Sequence, residues 1–259
     1  MVRFAAALAA LLCATPALAP SAFAQSEQQQ LVDRATLAAQ LMLNDRDGRD
    51  AQAVLRQARA VMICPQIFRA GFLLGGQGGS CVLVARAGGG SWTAPAFYGL
   101  GGGSIGFQAG VQDAEVVLMI MSDRGLQAVM DSQFKLGADA TATFVDLGGG
   151  VEGATTAALR ADIVGFTRAR GLYAGISLGG SLMSSKSDWN AAYYGRPVAA
   201  QQIVIGVEVS NPGADPLREV LSRYGSQAAA PPPALPPPTP LQPAPRGGVT
   251  QQPLAPPVR

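Results

Sequence analysis

Residues 92–147 read WTAPAFYGLGGGSIGFQAGVQDAEVVLMIM (92–121), SDRGLQAVMDS (122–132) and QFKLGADATATFVDL (133–147). A glycine-punctuated run leads into a continuous apolar run, Val116 to Met121. A short amphipathic segment follows, then an alternating run. Periodicity predicts strand, strand, helix, strand. The apolar run is bounded by polar residues and is too short to span a bilayer, which makes it a buried central strand. The segments on either side share its glycine-rich character and are expected to complete one sheet around it.

Composition points the same way. The chain has 259 residues with 32 glycines, and only 14% are charged, which favours a β-rich domain over a helical bundle. A formal net charge of +2 gives no bulk argument for nucleic acid, which is not expected as a partner. Of the 19 basic residues only Lys135 and Lys186 are lysines; the remainder are arginines, whose fork suits phosphate.

Outward from the core, residues 1–24 read as a secretory signal. Arg3 supplies the positive start, 4–12 the apolar stretch, and Ala22-Phe23-Ala24 the cleavage site. Cleavage after Ala24 ranks above lipidation at Cys13, because Leu12 stands where a lipid-attachment signal needs a small residue. The expected location is periplasmic or secreted, with peripheral membrane association. Residues 25–225 form the domain. Residues 226–259 are Ala, Pro, Gln and Gly in the main and are expected to be a disordered tail, whose P-x-x-P spacings offer a site for a protein partner.

Within the domain, 27–43 has helical periodicity, with Leu31, Ala35, Ala38 and Met42 on one face and Leu37 and Leu41 widening it. Asp50 is placed as N-cap of a second helix over 51–60. A short strand over 61–64 ends at Pro65. A hairpin over 71–86 turns at Gly75-Gly76-Gln77-Gly78-Gly79. Strands over 161–167 and 171–182 are joined by Arg168-Ala169-Arg170-Gly171. Residues 189–195 are expected to be a helical turn or loop, 197–209 a short helix and an apolar strand end, and 216–224 a final helix with Pro216 in its first turn. Cys64 and Cys81 remain in the mature chain; the sequence leaves open a disulfide or two buried thiols.

Catalytic and metal motifs do not assemble. Two G-x-S-x-G matches, at Ser104 and Ser177, lack a base because the chain contains no histidine, which excludes a Ser-His-Asp hydrolase. Gly101, Gly103 and Gly106 fit G-x-G-x-x-G but precede a strand, not a helix. No zinc set, no other metal site and no cofactor is expected. Aspartates 113, 123, 139 and 146 read as caps, turns and solvated positions, and a carboxylate enzyme is the weakest reading.

Five stretches in order, FLLGGQGGS (72–80), WTAPAFYG (92–99), FKLGADA (134–140), GLYAGISLGGS (171–181) and AYYG (192–195), resemble the SYLF-domain family over about residues 31–224. That resemblance implies a non-enzymatic domain associated with lipids, phosphoinositides especially, in eukaryotic members and with actin in fungal ones. The leader, the lack of an attached Src-homology or zinc-finger domain and the proline-rich tail depart from the eukaryotic pattern. Actin is therefore set aside as a native partner, and anionic phospholipid or a membrane surface is expected instead. The expected fold is α+β: an antiparallel, strongly curved sheet or barrel-like core with two N-terminal helices, one inserted helix and a C-terminal helix. The expected function is anionic-lipid binding at the bacterial envelope. The alternative is a structural or protein-interaction module using a sheet edge and the tail. Candidate headgroup ligands are Arg56 and Arg59 on the second helix, Arg69 at the hairpin entrance, and Arg168 and Arg170 at the later turn.

Overall fold

A computed structural model describes residues 26–44, 48–71, 74–105, 110–146, 161–171 and 180–226. The expected leader (1–24) and the tail beyond Ser226 lie outside these residues, as does most of the expected strand over 171–182. Contacts divide the chain into two units, Met1–Ser226 and Gln227–Arg259, and everything below concerns the first.

Among the described residues eight strands form one curled sheet: β1 (Ala60–Gly71), β2 (Leu74–Ala85), β3 (Ala96–Ile105), β4 (Gly110–Ile120), β5 (Gln133–Lys135), β6 (Ala142–Asp146), β7 (Ile163–Gly171) and β8 (Leu182–Ser185). Their order is β5-β8-β3-β2-β1-β4-β7-β6. Neighbours are antiparallel except β6 and β7, which run parallel. The α+β architecture with a curved sheet is the one expected. The apolar run at 116–120 is buried on both faces, one strand away from the centre of the order.

Both sheet faces are covered, so the inner strands are apolar without alternation. On the outer face Val61, Ile63, Val82, Val84, Phe97, Val117 and Met119 pack with buried residues of α1 (Glu27–Asn44), α2 (Gly48–Gln57), α4 (Ser187–Tyr194) and α6 (Asp215–Gly225). On the inner face Met62, Leu83, Tyr98, Leu118 and Ile120 pack with α3 (Asp123–Met130) and α5 (Ala200–Val204). Tyr98 is fully buried there and its hydroxyl donates to the Val129 carbonyl at 3.0 Å; desolvation pushes its pKa up. Gly165 lets Phe144 cross the sheet: a Cβ there would come within 2.5 Å of the ring.

Several local expectations are corrected. The second helix begins at Gly48, so Asp50 sits in its first turn instead of capping it. The strand over 61–64 does not stop at Pro65. β1 continues to Gly71 through a bulge between Ile63 and Gln66, where proline's missing N–H costs no ladder bond. Gly75 to Gly79 lie inside β2, not at a turn. Arg168 to Gly171 likewise extend β7 and make no turn. β8 pairs with β3 and β5, not with β7. Residues 205–209 follow α5 without forming a strand. The helical turn or loop expected over 189–195 is the helix α4, and the short helix expected within 197–209 is α5. Gly195 closes α4 in the left-handed region at φ 69°. Pro216 stands in the first turn of α6, as the sequence indicates.

Asp162 ties α3, β6 and β7 together. The Ser122 hydroxyl, N-cap of α3, donates to its Oδ1 at 2.5 Å. The Thr141 N–H and hydroxyl donate to its Oδ2 at 3.1 and 2.8 Å. These bonds, Ser122 first, hold the carboxyl below its ordinary value of 3.8 despite some burial, with Arg124 assisting. A depressed carboxyl contributes stability above its unfolded pKa and loses it as pH falls through the folded one. Asp162→Ala should lower Tm by roughly 3–6 °C at neutral pH. The gap from wild type should close below pH 3.8 as the native carboxyl protonates. Melting curves across pH check both, and a gap that persists in acid would contradict the assignment.

Candidate functional site

The bulge in β1 decides which side chains reach the outer surface. Before it, odd-numbered Val61 and Ile63 face the helices; after it, Ile67 joins the inner cluster. The one-residue shift reverses the alternation and turns Phe68 outward. Phe68 is 51% exposed and pairs with Gly78 across β1 and β2. It lines a groove of about 190 Å³ with Leu31 and Arg34 of α1, Pro65, Gln66, Gly78, Gly79 and Ser80.

The surface on the β2 side of Phe68 is bare, while on the β4 side Phe68 pairs with the exposed Asp113. By alternation from Val82 and Phe97, Gly76 and Gly78 of β2 and Gly99, Gly101 and Gly103 of β3 share its face. Gly76, Gly101 and Gly103 are exposed. A Cβ on Gly76 or Gly101 would meet nothing within 4 Å; on Gly78 it would meet the Leu100 carbonyl at 3.7 Å, and on Gly103 that of Gly75 at 3.9 Å. None of these glycines has positive φ. Glycine in a strand interior costs about 0.5–1 kcal/mol relative to alanine. The fold offers no steric reason for glycine at these five positions.

α1 presents a polar–apolar stripe beside this groove. Arg34, Leu37 and Leu41 follow one another at i, i+3 and i+7 and lie on one side of the helix. Leu37 is 58% and Leu41 48% exposed, which corrects the expectation that they widen the buried face. The buried arc runs through Leu31, Val32, Ala35, Ala38, Ala39, Met42 and Leu43, and the sheet cannot reach around to the other side. Among the described residues Arg34 is exposed and forms no ion pair. At the far edge of the glycine surface the Lys186 ammonium lies 3.5 Å over the Trp189 ring and donates to the Ser80 hydroxyl at 3.2 Å. Burial lowers its pKa, opposed by Asp188 and Glu27.

The five arginines singled out from sequence do not form one cluster. Arg56 and Arg59 lie near the start of β1, while Arg168, Arg170 and Arg69 lie roughly 15–30 Å further along the strands. Arg56 is exposed on α2, within 3.5 Å of Gln52. Arg59 lies past the end of that helix, so the two do not share a helical face. It pairs with Asp123 at 2.9 Å with both side chains more than half exposed, an arrangement that contributes little to stability. Arg69 pairs in register with Gln112. Arg168 and Arg170 stand in β7 opposite Glu115 and Asp113 of β4, so the backbone sets a carboxylate residue across from each. The two cysteines lie on β1 and β2 beside the bulge. They are joined by a disulfide with Cα atoms 4.2 Å apart, both side chains fully buried. Sequence reasoning passed over Arg34 and Phe68. Only the i, i+3, i+7 stripe could have flagged the first, and no local signal marks the second.

Residues 101–224 match the family described as Ysc84: Las17-binding protein actin regulator. The SH3 domain-containing YSC84-like protein 1 of Bos taurus is 31% identical over 173 residues, 66% of this chain and 50% of that protein. Protein YSC84 of Saccharomyces cerevisiae is 29% identical over 171 residues, 65% of this chain and 36% of its own length. LAS seventeen-binding protein 3 of the same species is 30% identical over 171 residues, 65% and 37% respectively. The chain thus spans half or less of the length of these relatives. No solved structure matches it. The family description and the yeast name correct the expectation that set actin aside: partnership in actin regulation is the kind of role this family carries. The relatives' names describe binding and domain content, not catalysis.

Proposed function

The chain belongs to the Ysc84 (SYLF) family, and from that premise we propose that it is a non-enzymatic binding module that docks on anionic phospholipid surfaces. The observation that carries this reading is the exposed Arg34–Leu37–Leu41 stripe on α1, a cation beside two unburied leucines. Covering an exposed leucine is worth about 1.5–3 kcal/mol when burial is complete, and each basic group near an anionic surface adds about 1 kcal/mol. Arg56 and Arg59 near the start of β1, with Arg69, Arg168 and Arg170 toward the strand ends where Phe68 lies, are the further proposed phosphate ligands. The register sets Glu115 across from Arg168 and Asp113 across from Arg170, so Arg34, which forms no ion pair among the described residues, ranks first. Among the described residues no helix is long and apolar enough to cross a membrane. Paired Arg34→Glu and Arg56→Glu substitutions should weaken binding to phosphatidylglycerol-containing vesicles by about tenfold or more while leaving Tm in place. A folded double variant that binds like wild type would remove this face from the account.

Export is part of the same proposal and rests on Arg3, the apolar stretch and Ala22-Phe23-Ala24. The intact mass of the exported protein should correspond to a chain starting at Gln25; an acylated species starting at Cys13 would contradict it. A second reading is favoured by the family description: partnership with an actin-regulating protein of the Las17 kind. Capture of the purified chain by such a regulator, on immobilised protein and without lipid, tests that reading separately.

A further inference from the structure

We propose that Phe68, standing on the bare surface made by Gly76, Gly78, Gly99, Gly101 and Gly103, is an aromatic anchor that enters the acyl boundary of an anionic phospholipid bilayer, with Arg34 meeting the phosphates beside it. This deepens the lipid-docking reading above and rests on it.

The glycines are the main argument. Each stands in a strand, where glycine weakens the sheet. At Gly76 and Gly101 there is open space for a side chain, and at Gly78, Gly99 and Gly103 nothing lies closer than 3.7 Å to an added Cβ. Other glycines of the sheet are different: a Cβ on Gly79 would come within 2.5 Å of the Gln66 carbonyl, and Gly165 is filled by Phe144. The bare set is therefore kept for something outside the fold. Its effect on the surface is geometric. Phe68 lies directly opposite Gly78, with Gly101 the next residue across the sheet. A valine at 78 would lie against the ring and cover it. On the β4 side Phe68 pairs with the exposed Asp113, whose carboxylate accepts from Gln66 Nε2 at 3.1 Å. On the β2 side no side chain rises beside the ring, which can penetrate there while the strands lie close to the headgroups.

The occupant follows from what the surface offers. β1, β2 and β3 pair continuously through this region, from Gln66↔Ser80 to Gly71↔Gly75 and from Gly79↔Leu100 to Leu74↔Ile105. The strands' backbone groups are used in those ladders, so an added peptide strand would find no main-chain partners on this face. It offers one exposed aromatic ring, glycines on the β2 side, the Asp113 carboxylate held by Gln66 on the β4 side, and the Arg34 cation at the rim of the same groove. The same arginine belongs to the leucine stripe of α1, so the anchor and the stripe form one continuous surface. An aromatic group flanked by a cation suits the interface of an anionic bilayer, where the ring reaches the acyl boundary and the charge stays with the phosphates.

The test uses the full chain with mixed phosphatidylcholine–phosphatidylglycerol vesicles and with phosphatidylcholine alone. Gly78→Val and Gly101→Val should keep or raise Tm, since a β-branched residue suits an open strand position. Each should weaken binding to the mixed vesicles, and Phe68→Ser should weaken it by about tenfold. Phe68→Trp should retain binding and show added quenching by brominated acyl chains over the wild-type tryptophans. Valine variants that melt well below wild type would show the glycines to be needed by the fold and overturn the argument. So would Phe68→Ser binding as tightly as wild type, or Phe68→Trp binding without added quenching. If wild type itself ignores the mixed vesicles, the lipid reading fails and this inference with it. If wild type binds and the variants bind equally well, only the anchor fails.

Discussion

Arg86→Ala should lower Tm by roughly 10 °C, the largest effect expected of any single surface-accessible residue. Its guanidinium serves two helix ends at once. Nη2 donates to the Leu55 carbonyl at 2.8 Å and to that of Gly225 at 3.1 Å, and Nε donates to the Ala58 carbonyl at 3.0 Å. Leu55 lies in the last turn of α2 and Gly225 ends α6, so one cation meets the negative ends of two helix dipoles. The same group lies 4.6 Å from the centroid of the buried Trp92 ring. Burial lowers its pKa, yet an arginine stays charged at any ordinary pH. Loss of several charge-assisted hydrogen bonds, with carbonyls left unpaired, should cost about 3–4 kcal/mol. Arg86→Lys should recover little, because a single ammonium cannot span carbonyls from two helices. Thermal melts of the two variants decide it: a Tm within roughly 2 °C of wild type for Arg86→Ala would refute the role.

The second large effect is expected at Cys64 and Cys81. Their disulfide closes a segment of 17 residues, and a cross-link over a loop of that length removes unfolded-state freedom worth about 3 kcal/mol. The paired Cys64→Ala, Cys81→Ala variant should therefore melt roughly 6–12 °C below wild type. The bond also joins β1 to β2 at the bulge that reverses the side-chain alternation of β1. Loss of the cross-link should thus be felt locally as faster hydrogen exchange at residues 66–71. Because both side chains are fully buried, a dithiol reductant should act slowly on the folded protein and quickly on the unfolded one. Equal Tm for the variant and the oxidised wild type would contradict a stabilising cross-link.

What the sequence discloses and what it hides divide along physical lines. Helices announce themselves through period and terminus: α1 through the spacing of Leu31, Ala35, Ala38 and Met42, and α6 through Pro216. The buried strand at 116–120 is legible because it is covered on both faces and so lacks polar residues. The stretch 75–79 is misleading for a specific reason. Glycine is the commonest turn residue because it tolerates positive φ, yet here it serves by lacking a side chain, with ordinary strand dihedrals. Pro65 misleads similarly, since a proline inside a central strand is tolerated only at an irregularity that no local pattern announces.

The candidate site is less legible than the fold. Phe68 reaches the surface only because the bulge shifts β1 by one residue; unshifted alternation would have sent it to the inner face with Met62 and Cys64. Arg168 and Arg170 look like a pair in a turn until the register sets Glu115 and Asp113 across from them. Arg34 has no distinguishing neighbours in sequence and gains its place from the packing of α1 over the sheet. Such features depend on pairing between segments far apart in the chain, which periodicity within one segment does not encode. The family match overruled the expectation that set actin regulation aside.

The most direct test of lipid docking is co-sedimentation of the wild-type chain with phosphatidylglycerol-containing and with pure phosphatidylcholine vesicles over a range of salt. Cations at an exposed surface act through a field that salt screens, while the leucine and phenylalanine contacts do not depend on ionic strength. The account predicts binding to the anionic vesicles that weakens as salt rises without vanishing, and much weaker binding to the neutral ones. Equal partition between the two lipids, or no binding to either at low salt, would contradict it.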